Sequence, residues 1–487
     1  MDKEILKSLD EVKKELRKED RSLRNRIESI LFDNRFLETR VIPTFPKFPV
    51  VPNERCGVWY CDPNRYTQTS YFKSTDGHIS QWDFSTRRLN FHLFPMLAEN
   101  GGMIIVDSTR RGKKIPDALS KTVPIWCAVL NGLMLKATNQ DIEYDQLLYV
   151  PPGTVSSSER SRIVKKIPEL IEKVERLNIF DGKQVYESLN KRLLRPFWVY
   201  PGSDLLESSR DVFTGELITQ AWSVSKESKI IPVILCTVSY QAQDGVDKRN
   251  GFTYHQGAAD DHELWSNGLE PDIYWKHISA FKSFEGSDED MEQLVDRIVK
   301  EEKERKCSQK DFSSISHAFE NMDSITKEVQ LALVVDGLTI NRSLFEELKQ
   351  SFSKVIILSD NVNQSEDIED KSTFIKIYPL RSGLKKSSKE LRAKLIDIDQ
   401  EVNSVIYTAD KPILLCCNTG KDMSIGVLLM ILSKYYTQDW KLVTEEETPS
   451  ISKTTVRKHL TSVISHLQGR NVNPSRATLN STNSYLM

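Results

Sequence analysis

Ile104–Asn131 reads IIVDSTRRGKKIPDALSKTVPIWCAVLN, and the fold is decided here. An apolar run ends in Asp107, and Ser108, Thr109, Arg110, Arg111, Gly112, Lys113 and Lys114 follow at once. A continuous apolar run bounded by turn residues suits a strand buried on both faces of a mostly parallel sheet. In open α/β sheets ligands bind beyond the carboxyl ends of the strands, where Asp107 would stand. Hydroxyls, a glycine and four cations in the next loop suit a polyphosphate, because guanidinium forks grip phosphate oxygens in pairs and backbone N–H groups add their dipoles. An exposed basic loop is the commoner meaning of such a run. The density of polar groups that follow, Asp117, Ser120, Lys121 and Thr122, favours a site instead.

Working outward, Met103–Asp107, Ile125–Leu130, Phe197–Tyr200 and Ile231–Val238 read as buried strands of a first α/β series, with a helix over Ser158–Leu177. A second series has expected strands at Leu331–Val335, Lys354–Leu358, Phe374–Tyr378, Val405–Thr408 and Pro412–Cys416. Its expected helices lie at Ser388–Asn403, Met423–Tyr436 and Thr454–Leu467. Before both, Ile5, Leu9, Val12 and Leu16, then Leu23, Ile27 and Ile30, recur at helical spacing over residues 1–36. The expected organisation is an N-terminal basic amphipathic helix over 1–45, an α/β domain over 46–285, a charged linker over 286–328 and a second α/β domain over 329–487. Prolines at 43, 46, 49 and 52 mark the first boundary.

The totals limit the function classes. At about 150 residues per domain, 487 residues hold several domains, and 39% hydrophobic residues provide material for their cores. The formal net charge is −2, so any nucleic-acid contact must come from local basic patches. Seven cysteines follow no metal-like spacing: Cys56 and Cys61 lack a second Cys or His pair, which leaves reduced, buried thiols as the expectation. The charged N-terminus does not read as a secretory signal, and the apolar run Val427–Leu432 is too short to span a bilayer. The expected location is therefore cytoplasmic, or nuclear, with no membrane contact and no obligate protein partner.

Three further clusters carry chemistry. Tyr71–Leu93, YFKSTDGHISQWDFSTRRLNFHL, packs Lys73, Ser74, Thr75, Asp76, Gly77 and His78 into one polar turn, with Arg87 and Arg88 downstream. Gln256–Trp265, QGAADDHELW, sets Asp260 and Asp261 side by side, which suits a general base or a magnesium site; acids favouring a helix N-terminus are the alternative. Cys416–Leu428, CCNTGKDMSIGVL, has the strand–loop–helix layout of the cysteine-phosphatase loop H-C-x5-R-S, in which loop N–H groups and the helix N-terminus cradle phosphate. Cys416 stands at the histidine position and Met423 at the arginine position, so the expectation is a phosphate-binding loop without phosphatase chemistry. Cys417, Asn418, Thr419, Gly420, Lys421, Asp422 and Ser424 would line it.

Together, STDGH with WDFSTRRLN, VDSTRRGKKIPDALSKTVPIWCAVLN, QGAADDHELW, CCNTGKDMSIGV and the C-terminal NPSRATLNSTNSYLM resemble the initiator-tRNA phosphoribosyl transferase family over residues 50–487. The resemblance implies two α/β domains, the C-terminal one dual-specificity-phosphatase-like, preceded by an N-terminal helix. It implies transfer of the 5-phosphoribosyl group from 5-phosphoribosyl 1-diphosphate to the 2′-OH of adenosine 64 in the T-stem of initiator methionine tRNA, which blocks use of that tRNA in elongation. The donor would be held by Lys73, Ser74, Thr75 and Ser108–Lys114, with Mg2+ assisting at Asp260 and Asp261. Asp107, Asp76, His78, Asp260 and Asp261 are the catalytic candidates, and the residues leave the choice of base among the carboxylates open. Arg21, Arg24, Arg87, Arg88, Lys385 and Lys386 are the tRNA-contact candidates. A non-catalytic tRNA binder with an inactive phosphatase module, or a cysteine-dependent phosphatase, are the competing readings.

Overall fold

The computed structural model describes residues 22–73, 82–84, 88–177, 180–207, 228–308, 314–365, 374–380, 385–444, 449–467 and 474–487, with single residues 214, 216, 368, 447 and 472. Arg21, the cluster Ser74, Thr75, Asp76 and His78, and Arg87 lie outside the described residues. The chain divides into two compact units, Met1–Glu302 and Lys303–Met487.

The first described element of the first unit is helix α1, Leu23–Phe36, whose Ser22 hydroxyl accepts from the backbone N–H of Asn25 and caps a free N-terminal donor. Four parallel strands follow: β1 (Val50–Pro52), β2 (Met103–Asp107), β3 (Leu193–Val199) and β4 (Ile230–Thr237), ordered β1-β2-β4-β3. All five residues of β2 are buried, as its unbroken apolar run requires. Met103 and Ile105 join one core, with helices α2 (Val123–Ala137) and α3 (Ser157–Glu175). Ile104 and Val106 join the opposite core, with Ile27 and Ile30 of α1. Both faces of the sheet are therefore covered.

α2 corrects the expectation of a strand at Ile125–Leu130. Thirteen of its fifteen residues are buried, and a run buried on every side carries no periodicity with which to tell helix from strand. Pro124, in the first helical turn where a missing N–H costs nothing, was the available signal. Ala118–Ala137 is long and apolar enough to cross a bilayer, but it is 94% buried within this unit. The polar face of α1 is not solvated either. Thr253 N–H donates to Asn25 Oδ1 at 3.0 Å, His255 N–H to Ser29 Oγ at 2.8 Å and Tyr254 OH to Asp33 Oδ1 at 2.8 Å. These bonds tie the helix to the hairpin β5 (Val246–Arg249) and β6 (Phe252–His255). Helix α4, Asp288–Ser308, buries Met291, Val295, Ile298 and Val299 in the α1-side core.

The second unit holds the five-stranded sheet of β7 (Phe319–Ser324), β8 (Val329–Val334), β9 (Lys354–Leu358), β10 (Ile375–Tyr378) and β11 (Ile413–Cys417), ordered β10-β9-β11-β8-β7. Only β7 runs antiparallel to its neighbour. Its helices include α5 (Lys385–Asn403), α6 (Met423–Tyr435), α7 (Lys453–His466) and α8 (Arg476–Leu486). Val405–Thr408, expected as a strand, is a turn that carries on from α5. Ile406 N–H donates to Val402 O at 3.0 Å and the Ile406 side chain enters the core, so its apolarity serves packing rather than strand pairing.

Candidate functional site

The carboxyl ends of β1, β2 and β4 and the loop after β6 converge. Asp107, at the end of β2, is fully buried, and every contact on it comes from a donor. Its Oδ1 accepts from Ser108 N–H at 2.8 Å, Cys56 Sγ at 2.9 Å and Arg55 Nη2 at 3.3 Å. Its Oδ2 accepts from Asn53 Nδ2 at 2.9 Å and Arg55 Nε at 3.4 Å. Arg55 reaches further. Its Nη1 donates to Asp260 Oδ1 at 2.9 Å and its Nη2 to Ser108 O at 2.6 Å, so one guanidinium ties the β2 carboxylate to the QGAADDHELW turn. Burial is the largest influence on Arg55 and opposes its charge, but Asp107, Cys56 and Asp260 together outweigh it and hold the pKa above the ordinary guanidinium value.

Asp260 is the partly buried carboxylate of the cluster. Burial pushes its pKa above the ordinary carboxylate value, and Arg55 and Arg110 offset that only in part. Arg110 Nε lies 3.3 Å from Asp260 Oδ2 and Arg110 Nη1 3.0 Å from Asp261 Oδ2. Asp261, with φ +52°, is mostly exposed. Each Asp260 oxygen thus faces a guanidinium, and among the described residues no three of His, Cys, Asp or Glu converge as a metal set. A resident protein-held metal does not fit that geometry. The exposed Asp261 fits the single carboxylate that a phosphate-borne Mg2+ takes from a protein.

The basic loop is braced from behind. Gly112 N–H donates to Gln256 Oε1 at 2.8 Å, Gln241 Nε2 to Gly112 O at 2.6 Å and Gln256 Nε2 to Lys113 O at 2.7 Å. Thr109 N–H donates to Ser239 Oγ at 3.0 Å. Ser108 and Thr109 are buried. Gly112 has φ +72°, and a Cβ there would stand 2.8 Å from the Gln243 carbonyl oxygen, so no other residue fits. The four cations separate into two kinds. Arg110 and Lys113 are paired, with Asp260 and Asp261 and with Asp117 respectively. Arg111, held at φ +57°, and Lys114 are exposed and make no ion pair among the described residues. A cleft of about 240 Å³ on one side of the loop is lined by Arg26, Arg110, Arg111, Asp260, Asp261, Leu264 and Trp265. One of about 570 Å³ on the other is lined by Lys113, Lys114, Lys121 and Tyr200.

Lys73 is exposed beside this end of the sheet, since its neighbour Phe72 exchanges hydrogen bonds with Asn53 at 2.8 and 3.0 Å. Arg88 stacks 3.1 Å over the Tyr71 ring, and Arg24 donates to Gly251 O at 3.2 Å. In the second unit, Cys417 is fully buried. Burial opposes ionisation there, yet Ser424 Oγ at 3.1 Å, Thr419 Oγ1 at 3.6 Å and their backbone groups lower the thiol pKa below the ordinary cysteine value. Met423 is buried in the core, so nothing at the arginine position reaches the loop. Asp422 turns instead to α8, accepting from Ser475 N–H at 2.8 Å and Thr478 Oγ1 at 2.6 Å. Gly420 is buried and Asn418 half-buried, Lys421 is exposed, and Lys386 is an exposed residue of α5. Lys385 lies on the first turn of α5.

The sequence reading missed Asn53, Arg55, Cys56, Ser239 and Gln241. A signal existed for the first three. Val50-Val51-Pro52 is itself a short apolar run, and the residues after it obey the strand-end rule applied to Asp107.

Residues 16–300 match the family described as Rit1 N-terminal domain, and residues 374–486 the one described as Rit1 DUSP-like domain, that is, dual-specificity-phosphatase-like. The chain is 55% identical over 496 aligned residues to the tRNA A64-2′-O-ribosylphosphate transferase of Saccharomyces cerevisiae, covering all of this chain and 96% of that protein. It is 33% identical over 474 residues to an uncharacterised protein of Schizosaccharomyces pombe, covering 95% of this chain and 94% of that one.

Proposed function

The chain belongs to the Rit1 family of tRNA ribosyl-phosphate transferases, and we propose that it transfers the 5-phosphoribosyl group of 5-phosphoribosyl 1-diphosphate to the 2′-OH of adenosine 64 in initiator tRNA, in the cytoplasm. One observation carries the reading: identity of 55% runs over the whole chain, both units included, to a transferase of that name. The geometry supports a location for the chemistry at the β2 carboxyl end.

Asp260 takes the proton from the 2′-OH, and its raised pKa brings it nearer to the operating pH of a useful base. The freed oxygen electron pair forms the bond to the donor's C1 while the bond from C1 to the diphosphate breaks, and the diphosphate leaves with that pair. The ring gains oxocarbenium character in between, and the carboxylate of Asp261, which lines the same cleft, stabilises it. Arg111 and Lys114, unpaired among the described residues, receive the leaving charge. Asp261 would hold a Mg2+ carried in with the donor, and the ion would supply further charge neutralisation. Asp107 is not the base in this scheme. It is fully buried and lines neither cleft, whereas Asp260 lines one, and the work of Asp107 is to hold Arg55 against Asp260.

Asp260→Asn tests the assignment. It should reduce transfer by at least about 100-fold while donor binding, read by calorimetry, stays within a few-fold of wild type. Arg110→Ala and Asp107→Asn should each abolish transfer in a folded protein. Normal turnover in all three variants removes this cluster from the active site.

A further inference from the structure

We infer that Leu264 is a substrate contact that enters the minor groove of the acceptor RNA duplex beside the reacting ribose; the inference rests on the transferase reading above. Leu264 is 85% exposed, against 40–56% for Met322, Ile396 and Met487, the other exposed large hydrophobics among the described residues. A lone exposed leucine usually needs no explanation. Two features set this one apart.

The turn that presents it is held rigidly. Leu264 N–H donates to Asp261 O at 3.0 Å, Trp265 N–H to His262 O at 3.1 Å and Trp265 Nε1 to Asp260 O at 3.1 Å. The fully buried Trp59 packs against His262 at 5.6 Å and Trp265 at 5.4 Å between ring centres. Folding gains nothing by fixing a leucine in water, so the fixed apolar tip points to something that covers it. Its position then indicates the partner. Leu264 lines the same cleft as Asp260 and Arg111, and so does Arg26, which stacks 5.1 Å from the Trp265 ring.

A 2′-OH lies in the wide, shallow minor groove of A-form RNA, among ribose C–H surfaces and between two phosphate strands. An enzyme that deprotonates it with Asp260 must approach through that groove. The apolar tip then meets the sugar edge while the Arg26 guanidinium beside it meets a phosphate strand, a match of shape and charge.

The test compares Leu264→Ala with wild-type full-length protein in three measurements: tRNA affinity by mobility shift at fixed salt, KM and kcat for tRNA, and donor affinity by calorimetry without RNA. Leu264→Ala should raise both the tRNA Kd and KM by about five- to tenfold, with donor affinity unchanged and the thermal midpoint unmoved. Leu264→Met, of similar volume, should restore most of the loss. Unchanged tRNA Kd and KM overturn the proposal, as does a fall in kcat alone. Wild-type protein that binds tRNA but transfers nothing would sink the transferase reading, while the affinity comparison still decides the leucine contact.

Discussion

Replacing Arg55 with methionine removes the counter-ion of a fully buried carboxylate. Asp107 would keep Asn53 Nδ2, Cys56 Sγ and Ser108 N–H as donors but would lose its charged partner. Breaking a buried ion pair costs about 3–5 kcal/mol. The Arg55 side chain retains 20% exposure, which places the expectation near ~3 kcal/mol at the low end of that range. Asp107→Asn is milder, because Arg55 keeps Asp260 and the Ser108 carbonyl as partners; the cost is about 1–3 kcal/mol. In the double variant neither buried charge is left alone, so it should be more stable than the sum of the singles by at least ~1.5 kcal/mol. Urea unfolding followed by tryptophan emission reads this directly, because seven of the eight tryptophans fall in the first unit. Arg55→Lys should recover part of the stability but little activity, since an ammonium cannot serve Asp107 and Asp260 together as the planar fork does. A coupling below ~0.5 kcal/mol, or full transfer by Arg55→Met, would refute Arg55 as the link between the two carboxylates.

Four other outcomes follow from the same geometry. Gly112→Ala, strained at positive φ and pressed on the Gln243 carbonyl, should cost about 1–3 kcal/mol and weaken donor binding, both measurable by calorimetry. As a base, Asp260 must be ionised, and its pKa is raised, so kcat/KM should rise with pH along an acid limb above the ordinary carboxylate value of about 4; a limb at or below 4 contradicts the assignment. Cys417→Ser should leave transfer near wild type, and neither protein should hydrolyse a generic phosphate ester, because Met423 is buried where the phosphatase arginine would stand. Asp422→Ala removes two of the bonds that anchor α8 and should destabilise the second unit by about 1–3 kcal/mol in thermal unfolding.

Local pattern made the core of the site legible and long-range convergence hid the rest. The apolar run of β2, the basic loop after it and the Asp260–Asp261 pair are each contiguous in sequence, and each stands at the same end of one sheet. Arg55 is a single arginine in a short turn. Its meaning comes from carboxylates 52 and 205 residues away, which no local spacing records. The α1 pattern showed an apolar stripe but could not show that Asn25, Ser29 and Asp33 would find buried partners on a hairpin more than 200 residues later. The errors at Ile125–Leu130 and Val405–Thr408 share one physical cause: apolarity reports burial, and burial alone does not choose between helix, strand and a packed turn.

Incubating the purified full-length protein with Mg2+, labelled 5-phosphoribosyl 1-diphosphate and unmodified initiator tRNA tests the central claim most directly. Label should enter the RNA, map to the 2′-oxygen of adenosine 64, and vanish with Asp260→Asn. Stable tRNA binding with no label transferred would contradict the account.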